Sequence, residues 1–252
     1  MYLGRIVAIG MTKSGRAGAF YRVSSRSFPN RMAVLQGDKV AILPRPGFEG
    51  DLAKCEAHKV DVVFAPEISE MYDVNSSTWV EETVLAKPLC GASRPTFYRG
   101  VTTVVAKLFL LAQPDYAVFG LKDAQQCFVI QRMVRDLDFP VEIIPAPLVR
   151  DADGLALSSR NRYLSADERS RALSIHQSLL GAKARIISEK TFAPAISEAV
   201  EKVSAAGGKV DYIEILDCDT MAAPDENSKR VILAAAAFFG TTRLIDNEIF
   251  EL

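Results

Sequence analysis

The chain has 252 residues, nearly half of them hydrophobic, and its 30 basic and 31 acidic side chains almost cancel. That length suggests one or two domains with a sizeable core. The charge balance argues against a surface built mainly for nucleic acid or an anionic membrane.

Residues 1 to ~47 read as β-rich. GRIVAIG is a strand, KSGR a turn, AFYRVSS a second strand, SFPNR a polar loop and KVAILP a third strand. Short strands joined by tight turns predict an antiparallel meander. From ~48 to ~153 the pattern alternates. DLAKCEAHK is helical and VDVVFAP a continuous apolar strand. RGVTTVVAKLFLLAQ places Val101, Val104, Val105, Leu108 and Leu111 at helical spacing. DYAVF is a strand, and DAQQCFVIQRMVRDL carries Cys127, Ile130, Val134 and Leu137 on one face, with Asp123 placed to cap it. VEIIPAP is another strand. Helices alternating with fully apolar strands predict an α/β fold with a parallel sheet covered on both faces. Residues 154–252 hold two long helical patterns, Ala166 to ~Glu189 and ~Pro194 to ~Ala206, then the strands VDYIEIL, RVILAAAAFFG and TRLIDN. They predict a smaller α+β domain acting as a lid.

The four cysteines are scattered and form no CxxC pair, which suits buried thiols in a reducing compartment and no metal site. The longest apolar run, Val101 to Ala112, is shorter than the ~20 residues a bilayer span needs. The N-terminus carries no signal-peptide pattern, so a cytoplasmic protein is expected.

Two segments carry the chemistry. PDYAVFGLKDAQQ (Pro114 to Gln126) reads as strand, tight Gly turn, Lys and helix start. Ligands of open α/β sheets sit at the carboxyl ends of strands, where Gly120, Lys122 and Asp123 fall. Lys122 can pair with a phosphate near a helix N-terminus, and the Gln126 amide, one turn on, can bond a small acid. A surface lysine and a helix cap fit the same spacing. DADGLALSSRNRYLS (Asp151 to Ser165) follows an acidic turn with two hydroxyls and a guanidinium, a set suited to polyphosphate. Leu157, Ser158, Ser159, Arg160 and Asn161 are its candidates, against a polar interdomain turn in which Asn161 caps a neighbour. Together the segments suggest a nucleotide held between two parts of the chain. Arg94 and Arg99 flank a Pro-bearing turn and suit either an anion or solvent. His58, in a charged helix, and His176, on a polar–apolar boundary, suit neither a nucleophilic triad nor a zinc site.

The segments DVVFAPEISEMY, LCGASRP, RGVTTVVAKLF, QPDYAVFGLKDAQQ, RMVRDL, VRDADGLALSSRNRYLS, VDYIEI and TRLIDN together resemble the pantothenate synthetase family, in family order, over residues ~51 to 252. The resemblance implies a Rossmann-like nucleotide domain, here incomplete at its N-terminal part, followed by a small C-terminal domain. It implies a ligase that uses ATP with Mg2+ to turn pantoate into an acyl adenylate, which β-alanine then attacks. By motif, Gly120, Leu121, Lys122 and Asp123 match the ATP-binding GEKD segment, and Gln126 matches a pantoate-binding glutamine. Val149 matches a further ATP contact, and Leu157, Ser158, Ser159 and Arg160 match the segment that closes over the phosphates. The family's homodimer is implied on the same ground.

The departures are specific. No HxGH motif and no asparagine–proline–x–glutamine segment precedes Asp51, so the family's phosphate-holding histidines have no counterpart and no catalytic residue is assigned. Leu121 replaces an acid, and Thr96, Phe97 and Tyr98 stand where glycine, histidine and phenylalanine are usual. MYLGRIVAIGMTKSGRAGAFYRVSSRSFPNR instead is similar to the start of the archaeal-type inosine monophosphate cyclohydrolase family. Arg22, Ser25, Arg26 and Asn30 would bind phosphate in a complete relative; here a strand and polar loop suit them better. The chain thus reads as two enzyme fragments joined near Pro44 to Asp51. Activity is expected to be impaired, with a purine-ring cyclohydrolase or a non-catalytic nucleotide-binding remnant as the alternatives.

Overall fold

The computed structural model describes residues 40–42 and 48–252. The first two expected strands and the polar loop after them lie outside these residues, as does the segment that carries the cyclohydrolase resemblance. In chain order the elements begin with β1 (Val40–Ile42), α1 (Phe48–Ala57), β2 (Val62–Phe64), α2 (Ile68–Met71), α3 (Cys90–Ser93) and α4 (Phe97–Ala112). β3 (Tyr116–Gly120), α5 (Ala124–Asp136) and β4 (Glu142–Ala146) follow. The chain ends with α6 (Ala166–Glu189), α7 (Ala193–Ala205), β5 (Lys209–Asp217), β6 (Arg230–Phe239) and β7 (Thr242–Glu251). The fold is α/β with a parallel strand pair and an α+β C-terminal region. No helix among the described residues is long and apolar enough to cross a membrane.

Two compact units share these elements. Of the described residues, the first holds 40–42, 48–82, 96–119 and 129–146, and the second 83–95, 120–128 and 147–252.

In the first unit β1 pairs with β2 in parallel, Val40 opposite Val62 and Ile42 opposite Phe64. KVAILP therefore contains a strand as expected, and it runs parallel to β2; the strands expected to precede it in an antiparallel meander lie outside the described residues. The connection to its partner contains α1, and a helical crossover delivers the next strand in the same direction. β3 and β4 form a second pair, with α5 between them in sequence. Of the expected α4 stripe, Val101, Val104, Val105 and Leu108 are buried and Leu111 is half-buried, and Phe109 joins the buried face. Its two buried threonines hold an extended segment. Thr102 Oγ1 donates to the Val80 carbonyl (2.6 Å), and Thr103 Oγ1 accepts from the Val80 N–H (2.9 Å). Phe109 meets Phe119 and Phe139 edge-on, with centroids 6.5 and 5.8 Å apart.

Two expectations about these elements are corrected. The apolar face of α5 runs through Cys127, Ile130 and Met133, not on to Val134 and Leu137; Leu137 is 53% exposed. The helix ends at Asp136, so Leu137 lies past its last turn. β4 is not covered on both faces, since it carries no fully buried residue and its Ile144 is exposed. Pro145 lacks an N–H and suits such an uncovered strand.

The second unit packs α6 and α7 on the antiparallel sheet β5–β6–β7. Ser165 and Glu168 form a reciprocal capping box that starts α6 at the expected residue. Ile175, Leu179 and Ile186 of α6 and Val203 of α7 meet Val231, Leu233 and Phe239 of β6 in one core. β6 is the central strand and is buried from Val231 to Ala237 without alternation, which explains its continuous apolar sequence. Its alanines let the helices approach closely. Gly240, at φ +57, supplies the backbone of the two-residue link from β6 to β7.

All four cysteines are free thiols. Burial pushes the Cys127 and Cys218 thiols up to about 11. At pH 8 both remain protonated and shielded, whereas Cys90 is only half-buried. Brief treatment of the folded protein with iodoacetamide should modify Cys90 before either; peptide mass spectrometry showing Cys127 alkylated first would contradict this. Because the folded thiols titrate above their unfolded values, they also take away stability as pH rises from about 9 toward about 11.

Candidate active site

β3 ends at Gly120 and runs into a single 3-10 turn, Leu121–Asp123, from which α5 starts. Gly120 is not a tight-turn glycine. Its backbone is extended (φ −72°, ψ 130°), and an added Cβ would meet nothing within 4 Å. Asp123 closes the 3-10 turn and directly precedes α5, which starts at Ala124, the position expected for a helix cap. The Lys122 ammonium sits 4.0 Å from the Asp123 carboxylate, too loose a pairing to occupy it fully. The side-chain amide of Asn247, on β7, donates to the Leu121 and Lys122 carbonyls at 2.8 and 3.1 Å.

The segment after β4 folds back on itself. Arg150 bridges Ala156, and the Leu157 N–H donates to the Val149 carbonyl at 2.9 Å. The acidic turn closes through the Gly154 N–H on the Asp151 carbonyl, with Gly154 at φ +94. Arg169 of α6 grips this turn from outside, Nη2 on Asp151 and Nε on Asp153, each at 2.8 Å. The Arg169 hydrogen bond, helped by the Leu155 N–H, holds the Asp153 carboxyl below its usual range. Asn161 does not cap a neighbour; it is buried, and its amide donates to the Ala156 carbonyl (3.0 Å) and toward Asp151 (3.4 Å). Ser158 starts a 3-10 helix, Ser159–Tyr163, by accepting the Arg160 N–H on its hydroxyl at 3.2 Å.

These two segments meet in the second unit. A cavity open to solvent is lined by Lys122, Ser158 and Arg160 together with Arg243 and Asp246. Leu155, Ala156, Ile175, Leu244 and Ile245 supply its apolar wall. Arg243 is already committed, with Nε and Nη2 on Asp211 at 3.0 and 2.7 Å. Asp246 is likewise neutralised by Arg150, at 2.7 and 3.0 Å. Among the residues lining the cavity, the cations left to attract an anion are Lys122 and Arg160. Arg160 reaches across to the Arg243 carbonyl at 3.3 Å.

The remaining expected residues do not line this cavity. Gly120, Leu121 and Asp123 flank Lys122 in sequence; Ser159 is exposed, as are the side chains of Val149 and Leu157. Gln126 is half-buried and has no hydrogen-bond partner among the described residues. Its neighbour Gln125 is buried and structural: it donates to the Leu85 and Pro88 carbonyls (3.0 and 2.7 Å) and accepts from the Cys90 N–H (3.2 Å). Arg94, in the second unit, ends α3 and is exposed. Arg99, in the first, stacks its guanidinium over Trp79 at 5.4 Å. His58 is exposed in the turn after α1 and not within a helix, because α1 ends at Ala57. His176 is half-buried on α6, with Nδ1 3.8 Å from Glu248 and 3.9 Å from Asp246.

Sequence reasoning missed Arg150, Arg243, Asp246 and Asn247. TRLIDN carried the signal, since an acid and an amide inside an otherwise apolar strand must be paired if buried.

Comparison with known proteins adds the following. A family model described as pantoate-beta-alanine ligase matches residues 21–249. Pantothenate synthetase of Moorella thermoacetica is 50% identical over 195 residues, covering 77% of this chain and 69% of its own length. Pantothenate synthetase of Desulfitobacterium hafniense is 42% identical over 238 residues, 94% of this chain and 83% of its own. Among solved structures, the pantothenate synthetase of Thermus thermophilus superposes with a TM-score of 0.75 at 41% identity, covering 80% of this chain and 74% of that one. A Francisella tularensis pantoate-beta-alanine ligase, complexed with beta-gamma ATP and beta-alanine, gives 0.64 at 29% identity, covering 80% and 69%.

Proposed function

The chain belongs to the pantoate–β-alanine ligase family, and from that premise we propose that it condenses pantoate with β-alanine at the expense of ATP, using the cavity walled by Lys122, Ser158 and Arg160. A carboxylate is a poor electrophile until one of its oxygens leaves as a phosphate ester. A pantoate oxygen attacks the α-phosphorus of ATP; the acyl–phosphate bond forms and pyrophosphate leaves. The β-alanine nitrogen then attacks the acyl carbon, a C–N bond forms, AMP leaves and the amine gives up a proton. Mg2+ enters with the nucleotide, held mainly by phosphate oxygens and water.

The observation that carries this reading is the convergence of one ammonium, one guanidinium and one hydroxyl, from segments over thirty residues apart, on a single cavity. Positive charge fixed before reaction stabilises the phosphates as charge develops on them. Gly120, Leu121 and Asp123 bring Lys122 to the nucleotide, Val149, Leu157 and Ser159 border it, and Gln126 offers its free amide to pantoate. The ligase reading accounts for the relatives, and the purine-cyclohydrolase alternative does not. On the same reading the protein is cytoplasmic and a homodimer.

Turnover is expected to be slow, because the sequence holds no HxGH motif and neither His58 nor His176 lines the cavity. Removing one preorganised donor costs ~100- to 1,000-fold. That observation favours a second reading, nucleotide binding without turnover. A coupled pyrophosphate assay on the purified chain separates them. Slow release that needs both ATP and pantoate supports the ligase. ATP binding by calorimetry with no release supports the remnant, and neither signal sinks both.

A further inference from the structure

The TRLIDN strand does more than close the core. Three consecutive residues of β7 serve the cavity in different ways: Ile245 and Asp246 line it, and Asn247 does not. Asn247 is only 8% exposed, and its amide nitrogen spans the carbonyls of Leu121 and Lys122 at 2.8 and 3.1 Å. Those carbonyls belong to the 3-10 turn that presents Lys122. Such a short turn has few internal hydrogen bonds to hold it. Asparagine is disfavoured in strands, where a branched or aromatic residue packs better. Here it lies opposite Ala234 of the buried strand β6. Its donors are spent on a segment 125 and 126 residues earlier in the chain.

We infer that Asn247 is a positioning residue: it fixes the backbone of the Leu121–Asp123 turn so that the Lys122 ammonium stays in the nucleotide cavity. This rests on the reading of that cavity as the ATP site. Asp246 supports the same geometry. Its Oδ1 accepts the Asn247 N–H at 2.8 Å while Arg150 holds its carboxylate. The strand thereby couples the wall of the cavity to the turn that arms it.

The test is a double-mutant cycle on the full chain, with Mg–ATP as the ligand in calorimetry and amide hydrogen exchange measured without nucleotide. Asn247→Asp keeps the shape and loses both donors; Asn247→Ser, shorter and neutral, is run beside it in case the carboxylate prevents folding. Either substitution should speed exchange at the amides of residues 122–125 and weaken ATP binding about tenfold. In a Lys122→Ala background the same substitution should change ATP affinity less than twofold, because its effect passes through the lysine. An equal loss in both backgrounds, or unchanged exchange in the turn, overturns the inference. Faster exchange with ATP affinity unmoved by Lys122→Ala overturns the nucleotide reading instead, and the inference with it.

Discussion

Lys122→Ala and Arg160→Ala should each lower kcat/KM for ATP about 100- to 1,000-fold, the range seen when one preorganised charge-stabilising donor is lost. The two groups differ in kind. Lys122 brings a compact charge from the turn after β3, and its tie to Asp123, at 4.0 Å, is loose. Arg160 brings a planar fork whose backbone N–H is fixed by Ser158 and whose Nη1 rests on the Arg243 carbonyl. Arg160→Lys should therefore recover little, since an ammonium does not reproduce a bidentate grip on phosphate. Arg160 is exposed and Lys122 partly so, so melting temperatures should hardly move. Initial rates of pyrophosphate release against ATP concentration, with calorimetric ATP binding as a second measurement, decide the matter. Full retention of both in either alanine variant would remove that residue from the phosphate site.

Arg150→Ala should be the most damaging single change to stability outside the apolar core. Arg150 makes two bonds to Asp246 and a longer contact, 3.4 Å, to Glu248. The Asp246 side chain is 4% exposed. Deleting its partner strands a buried carboxylate, which typically costs ~3–5 kcal/mol. Glu248 retains Lys183 at 2.9 Å, but Asp246 keeps only the Asn247 N–H and the half-buried His176, 3.9 Å away. In a protein of this size ~2–4 °C accompanies each kcal/mol, so the melting temperature should fall by about 10 °C. Arg185→Ala is the matched control. Arg185 also pairs with two carboxylates, Glu189 and Glu198, but on the open surface of α6, where such pairs contribute little. Equal melting temperatures for the two variants would show that the Arg150 pair is not sealed from water as its geometry implies.

Much of the fold was legible along the chain because short-range rules govern it. The helical pattern from Ala166 marked α6, the three-and-four apolar spacing marked α4, and RVILAAAAFFG read as the strand that forms β6. The errors arose where a neighbour decided the outcome. The burial of α5 depends on what packs beyond its last turn, and the role of Gly120 on space that no local pattern encodes.

By itself the sequence determined the chemistry on offer: a lysine after a strand, a serine–serine–arginine run after an acidic turn, and no histidine motif to clamp phosphates. Side-chain type and local propensity are written residue by residue. Which charges remain available to a nucleotide was decided only by tertiary structure. Asp211 claims Arg243, Arg150 claims Asp246, and Asn247 reaches back 125 residues to the turn carrying Lys122. Electrostatic neutralisation acts through space, and the pairings that leave Lys122 and Arg160 free exist only once the sheet and helices have closed around them.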